Sequence, residues 1–355
     1  MHRIGLLLLA GMLFITPAYA QFTLKQIATV GNSVDDEYLF FRIGAACFSD
    51  DEKFFYITDL QRHRVNRYTI EGRFAGSYGR LGQGPHDFLS PIGIQFHQGE
   101  VYVHDLRNKK LAVFDAELKP TRVIRLPGVE ANVYATENFR IMGRDSYFFT
   151  GFKLPAEKEK LLDSGLGGGL LHYKKGSISF LFDRARFKLE KNLSEKDIVA
   201  ADHFCRKICF GFNRADNEIL LTFFYANNPP LLYLLDAATG RVKKSFPLQV
   251  DRNYLFPEAL RRGKVEEKPG DCHLIVSDIF PYRDGYLVFY LFVNVLSGGA
   301  KQGEYHMQVL DRQGRARQDI LLEGQYRFLA VSENGLLLAK NHDDDEEKIY
   351  IFRLE

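Results

Sequence analysis

The stretch YGRLGQGPHDFLSPIGIQFHQGEVYVHDLRNKKLAVFD, residues 78–115, decides how the chain reads. A glycine-rich loop (Gly79, Gly82, Gly84, Pro85) leads through Pro91 into an alternating run, Ile92, Ile94, Phe96. A turn at Gln98-Gly99 is followed by Val101-Tyr102-Val103, which closes on Asp105, and a polar turn by Leu111-Ala112-Val113-Phe114, which closes on Asp115. Short alternating runs between turn residues are strands, and strands joined by such short turns pair as an antiparallel meander. The preceding segment repeats the plan: Phe54-Phe55-Tyr56-Ile57 closes on Asp59, and Arg64 to Tyr68 stands where Lys110 to Phe114 stands later. Asp59 and Asp105 lie 46 residues apart, the period of one four-stranded propeller blade.

Carried along the chain, the same plan gives six blades with strands A (innermost) to D. Blade one is Gly44–Phe48, Lys53–Thr58, Arg64–Thr69 and Arg73–Tyr78; blade two is Ile92–Phe96, Glu100–His104, Lys110–Asp115 and Thr121–Leu126. Blade three is Asn138–Met142, Ser146–Phe152, Leu170–Tyr173 and Ile178–Phe182; blade four is Lys207–Phe212, Glu218–Tyr225, Leu231–Leu235 and Val242–Leu248. Blade five is His273–Phe280, Gly285–Val293, Tyr305–Leu310 and Arg317–Leu322. Blade six supplies only Tyr326–Val331, Gly335–Ala339 and Lys348–Leu354. An open blade would expose a row of unpaired backbone groups, and one strand, Phe22–Val30, is unassigned. The expectation is therefore an all-β, six-bladed β-propeller of four-stranded antiparallel blades, closed by the N-terminal strand joining the last blade.

The run Tyr78 to Phe88, with Pro91-Ile92-Gly93-Ile94 and Val101-Tyr102-Val103-His104-Asp105, resembles the NHL-type repeat. More closely it is similar to the six-bladed β-propeller proteins exported by Bacteroidetes, in which a G-x-G-P-x-x-F-x-x-P loop precedes a strand pair ending in Asp. The resemblance covers residues 44–127 and implies a fold, with no single activity.

Residues 1–20 read as a signal peptide: Arg3 is a short basic start, Ile4 to Ile15 is apolar, and Ala18-Tyr19-Ala20 offers small residues for cleavage before Gln21. The apolar run falls short of the roughly 20 residues that span a bilayer, so no membrane span is expected. Residues 21–355 then form one exported domain, periplasmic or extracellular. A net charge of +2, with basic residues scattered, argues against nucleic acid as a partner. Thirty Phe, eighteen Tyr and thirty Gly suit stacked sheets with many turns. Cys47, Cys205, Cys209 and Cys272 read as small buried hydrophobes.

Because successive strands are antiparallel, D-to-A and B-to-C connections emerge on one face, A-to-B and C-to-D turns on the other. The long connections, 155–169, 188–203, 249–271, 294–304 and 341–347, all fall on the first face. Binding residues favour loops held by a rigid scaffold, so this face, around the mouth of the central channel, is the expected surface for a small ligand or protein partner. The protein is expected to be a monomer without a cofactor. The glycine-rich loop offers Arg80, Gln83, His86 and Asp87, although its glycines also serve the turn between blades. Lacking a following Lys-Ser/Thr and a helix, it is not a phosphate loop.

Three histidines at the entrances to inner strands, His86, His203 and His273, have Asp87, Asp202 and Asp271 beside or near them. Converging imidazoles with carboxylates behind them could hold a divalent metal, which defines the alternative, a metal-assisted lyase or hydrolase. Asp343 to Glu347 lacks the alternating ligands of a calcium loop and reads as a solvated hairpin tip. Pro257 and Pro269 bracket a short helix over 258–268. No G-x-S-x-G elbow or dinucleotide fingerprint is present.

Overall fold

The computed structural model describes residues 21–31, 40–126, 133–153, 167–183, 208–223, 231–252, 268–297 and 301–355. The segment 1–20, Asp202, His203, Cys205 and residues 258–267 of the expected helix lie outside the described residues.

The chain opens with β1 (Leu24–Val30) and then builds five complete blades. Blade one holds β2 (Ile43–Phe48), β3 (Phe54–Asp59), β4 (Arg64–Thr69) and β5 (Phe74–Tyr78). Blade two holds β6 (Pro91–His97), β7 (Glu100–Asp105), β8 (Lys110–Asp115) and β9 (Pro120–Arg125). Blade three holds β10 (Val133–Gly143), β11 (Ser146–Lys153), β12 (Gly167–Lys174) and β13 (Ser177–Asp183). Blade four holds β14 (Ile208–Asn213), β15 (Glu218–Phe223), β16 (Leu231–Asp236) and β17 (Val242–Pro247). Blade five holds β18 (Cys272–Tyr282), β19 (Gly285–Val295), β20 (Lys301–Asp311) and β21 (Ala316–Leu321). Blade six holds β22 (Tyr326–Val331), β23 (Leu336–Asn341) and β24 (Ile349–Leu354), completed by β1 in the order β1-β24-β23-β22. The register runs from Leu24↔Leu354 to Val30↔Ile349, so β1 and β24 seal the ring. Among the described residues there is no helix.

Six apolar clusters form the core, one between each pair of neighbouring blades. Strand β7 shows how the sequence makes them. Its successive side chains point to opposite faces, so Val101 and Val103 pack against blade one while Tyr102 packs against blade three. Middle strands are therefore apolar on both faces, and outer ones are not: β9 and β17 carry Arg122, Arg125, Lys243 and Lys244, the kind of charges that guard an open sheet edge. Cys47 and Cys209 are buried as read, whereas Cys272 is partly exposed.

His104 belongs to this packing. It is 1% exposed, and its ring meets Phe139 and Phe149 edge-on at 5.8 and 5.2 Å. Burial pushes its pKa down from 6.5 to about 4, although the charge of Asp105 pulls upward. Between those values the unfolded chain binds a proton that the folded chain refuses, so stability falls as pH drops through this window, by about 3 kcal/mol in full. Denaturant midpoints measured from pH 7 to 4 should fall less steeply in His104→Leu than in the wild type. Equal slopes would show that other groups carry the acid sensitivity.

Five of the six inner strands are bulged, β14 being the exception. Pairing slips between Ile43 and Ala46, Pro91 and Gly93, Val276 and Asp278, and Phe328 and Ala330, and twice along β10. A bulge adds a residue and sharpens the local twist, which narrow inner strands need. It also changes which side chains face the axis.

Inner-to-second strand turns such as Gln98-Gly99 and Arg283-Asp284 are short. On the other rim the segment read as an insertion over 294–304 is mostly strand: β19 and β20 pair without a slip out to Val295↔Lys301, leaving five connecting residues, 296–300. Strands β10 and β11 likewise pair out to Val133↔Lys153. In blades three and five the sheet itself therefore extends onto the loop-bearing rim.

Candidate functional site

The glycine-rich loop is a clasp. The Lys110 side chain, 4% exposed, sends Nζ to the carbonyl oxygens of Gly84, Pro85 and Asp87 at 2.6, 2.9 and 2.7 Å. Asp87 turns inward so closely that a Cβ on Gly82 or Gly84 would stand 2.7 or 2.6 Å from its Oδ2, which is why both positions are glycine. Outside the clasp, Arg80 Nε pairs with Asp87 Oδ1 at 2.9 Å. His86 packs its ring edge-on against Phe114 of the third strand at 5.2 Å. Gln83 is exposed.

Asp59 and Asp105, both fully buried, anchor the repeat from the second strand. Asp105 accepts N–H bonds from Leu89 and Ser90 of the incoming loop, at 3.0 and 2.8 Å, and from Asn108 of its own turn, at 3.4 Å. Asp59 does the same in blade one, with Phe41, Gln61 and Arg62 at 3.1, 3.1 and 3.0 Å. Each carboxylate fixes a connection to the next, as buried polar groups must be satisfied. Glu347, at the end of the acidic run, is no solvated tip: it accepts the Ile43 N–H at 3.0 Å and pairs with Lys340 at 3.3 Å, tying blade six to blade one.

Two of the three proposed imidazoles lie within the described residues. His86 lies against Phe114, and His273 is buried at the start of β18, opposite Val293. Asp271 caps the turn before β18 by accepting the Lys268 N–H at 2.8 Å. His203 and Asp202 lie outside the described residues. Among the described residues no group of three His, Cys, Asp or Glu side chains is placed to hold a metal ion.

Residues of five inner strands, β2, β6, β10, β18 and β22, line a cavity of about 40 Å³. Its walls are small or apolar where β2 and β6 pass, with Gly44, Ala45, Ile92 and Gly93, and aromatic at Phe139, Phe280 and Phe328. Ala45, Ile92 and Leu329 line it at the bulges of their strands. Its polar side chains come from four inner strands: Gln95 (β6), Arg140 (β10), Asp278 (β18) and Arg327 (β22). The volume admits about three waters and is far below the roughly 300 Å³ at which pockets begin to hold organic ligands of drug size. Arg140 donates from Nη1 to the Phe139 carbonyl at 2.9 Å and stands 5.5 and 5.7 Å from the rings of Phe210 and Phe280. Burial lowers its pKa; Asp278 opposes that shift, and the Arg214 charge adds to it.

None of these four was a sequence candidate. The signal was present: a charge inside an otherwise apolar inner strand, as in Asn138-Phe139-Arg140-Ile141-Met142 or Tyr326-Arg327-Phe328, has only the axis or a neighbouring blade to face.

A second polar cluster lies on the flank between blades four and five. His306 Nε2 meets Glu304 Oε1 at 3.0 Å and Nδ1 meets Asp319 Oδ1 at 3.5 Å, while the ring stacks on Tyr290 at 5.0 Å. Burial opposes protonation here, yet hydrogen bonds to Asp319 and Glu304 outweigh it and the pKa is raised. Arg252 pairs with Glu304 at 2.7 Å, which pins the start of the connection after β17 to blade five.

No protein-family model matches the sequence, and no curated protein does. Among solved structures, the chain is similar to a member of the DUF4221 family from Bacteroides vulgatus, at 13% identity and a TM-score of 0.61, covering 94% of this chain and 98% of that one. It is also similar to a protein of Bacteroides fragilis described as a candidate exported protein, at 10% identity and a TM-score of 0.54, covering 94% and 95%. These likenesses show the six-bladed propeller fold.

Proposed function

We propose that this propeller is an exported, noncatalytic binding platform whose partner is a protein segment carrying apolar and acidic side chains, seated on the loop-bearing rim over blades one and two. One observation carries the reading. Of the large apolar side chains left exposed among the described residues, Phe41 (49%), Leu81 (64%), Leu106 (37%) and Leu296 (42%) all stand on that rim. The rest, Ile27, Val242 and Leu321, lie on outer strands. Exposed apolar groups gathered on one side of a soluble fold mark contact surfaces. Their polar neighbours on blades one and two are basic: Arg107 and Lys109 are exposed, and Arg62 covers the Phe41 ring at 4.4 Å. The nearby carboxylates of Asp59, Asp87 and Asp105 are engaged within the loops, so the exposed charge favours an acidic partner.

Export rests on residues 1–20 and accords with the description of the Bacteroides fragilis neighbour. No helix among the described residues is long and apolar enough to cross a membrane.

Panning a displayed random-peptide library on the purified protein tests the reading. Enriched peptides should combine Asp or Glu with Leu or Phe, and Leu81→Asp with Leu106→Asp should weaken their binding by about tenfold or more, roughly 1.4 kcal/mol. Enrichment that is indifferent to these substitutions would remove the rim as the binding surface.

A further inference from the structure

The rim that carries Phe41, Leu81 and Leu106 also carries a surface of the opposite charge. In blade two the turn from β7 to β8 exposes Leu106, Arg107 and Lys109. The equivalent turn of blade six, from β23 to β24, exposes Asp343, Asp345 and Glu346. We propose that the partner of the rim is a second copy of this chain, docked face to face about a two-fold axis through blade one, so that the basic turn of each copy lies on the acidic turn of the other.

This inference rests on the rim reading above and names its occupant. Second-to-third strand connections emerge on the same rim in every blade, at equivalent places around the ring, and blades two and six flank blade one. A two-fold axis through blade one, perpendicular to the ring axis, therefore exchanges blade two with blade six, and both contacts form together. Isologous contacts of this kind close on themselves and stop at a dimer. Phe41, 49% exposed at the entrance to blade one, falls beside its own equivalent and supplies an apolar centre. Both turns are held in shape by residues other than those offered to the partner. Asn108 donates to Asp105 and to the Gly82 carbonyl, at 2.6 and 3.0 Å, while Asp344 accepts the Tyr350 hydroxyl at 2.7 Å and Glu347 pairs with Lys340 at 3.3 Å. By contrast, among the described residues Arg107 and Lys109 meet no carboxylate, and the carboxylates of Asp343 and Asp345 form no ion pair. Preformed turns with unspent charge lose little freedom on docking, and their opposite signs orient the encounter.

Sedimentation velocity of the mature protein, residues 21–355, over a concentration series tests the proposal. A dimer with a Kd of about 1–100 μM is expected, weakening as salt is raised because the paired charges are exposed. Arg107→Glu with Lys109→Glu, and separately Asp343→Lys with Asp345→Lys, should each weaken it by about tenfold or more. Mixed in equal amounts, the two variants should recover affinity, since one contact of the mixed dimer is then native and the other has its signs exchanged. A wild type still monomeric at about 1 mM, variants that pair as well as the wild type, or a mixture no tighter than its parts would each overturn the proposal. The result is separable from that of peptide selection. A monomer that still selects acidic peptides through Leu81 and Leu106 overturns the second copy and leaves the rim reading intact; a charge-dependent dimer whose peptide selection ignores those leucines does the reverse.

Discussion

Deleting residues 22–30 is expected to cost the protein its cooperative fold. Those residues supply β1, whose pairing with β24 runs from Leu24↔Leu354 to Val30↔Ile349. Val30 is 2% exposed in the cluster between blades six and one, and Phe22 and Leu24 pack on the cluster between blades five and six. Phe22 also exchanges two hydrogen bonds with the Gln318 side chain of β21, at 2.6 and 3.0 Å. Without β1, the length of β24 becomes an open edge and two interblade clusters are exposed to water. The loss should exceed about 4 kcal/mol, a large part of the 5–15 kcal/mol that holds a domain together. Urea unfolding should show a collapsed midpoint with aggregation, and a synthetic peptide of residues 21–31 added in trans should restore it. A truncated protein with the wild-type midpoint would refute closure of the ring by its ends.

Lys110→Met should have the second largest effect, about 3–5 kcal/mol. Methionine keeps most of the volume but leaves the carbonyls of Gly84, Pro85 and Asp87 without their donor. Hydrogen bonds from a charged group contribute about 1.5–3 kcal/mol each and do not add in full. The damage should be local at first: amide exchange should accelerate over residues 80–90 before it does in β7 or β8, because the loop loses its anchor while the strands keep their ladder. Lys110→Arg is not expected to rescue, since a planar fork cannot direct three donors to one converging set of carbonyls. Unchanged exchange in the loop would mean that the contact between Asp87 and the two glycines suffices to hold it.

The blade plan was legible because in blades one and two the strands are short and the second strands end on Asp, as at Ile57-Thr58-Asp59 and Val103-His104-Asp105. Even the vacancy in blade six pointed to Phe22–Val30. Strand ends were less legible where pairing overrides composition. Lys301, Gln302 and Gly303 are poor strand formers, yet each is matched by a residue of β19 and so belongs to the sheet. The channel was hidden for a different reason. Alternation predicts which residues face the axis only while the register is unbroken, and the bulges at Ala45, Ile92 and Leu329 break it. Histidines next to aspartates drew attention by residue type alone. Distance along the chain carried no information on convergence, and the aromatic neighbour of His86, Phe114, arrives from a strand that sequence order places well downstream.

Thr23 and Glu355 each donate an N–H to the other's carbonyl at 3.0 Å. Two points that touch in this way can be spliced through a short linker, and the circle can be cut anew at any connection between blades without forfeiting a single strand pair. Such circular permutants would share one final architecture but differ in which seam is sewn last. In the natural order that seam joins β1 to β24, so the ring cannot close until Leu354 has been made.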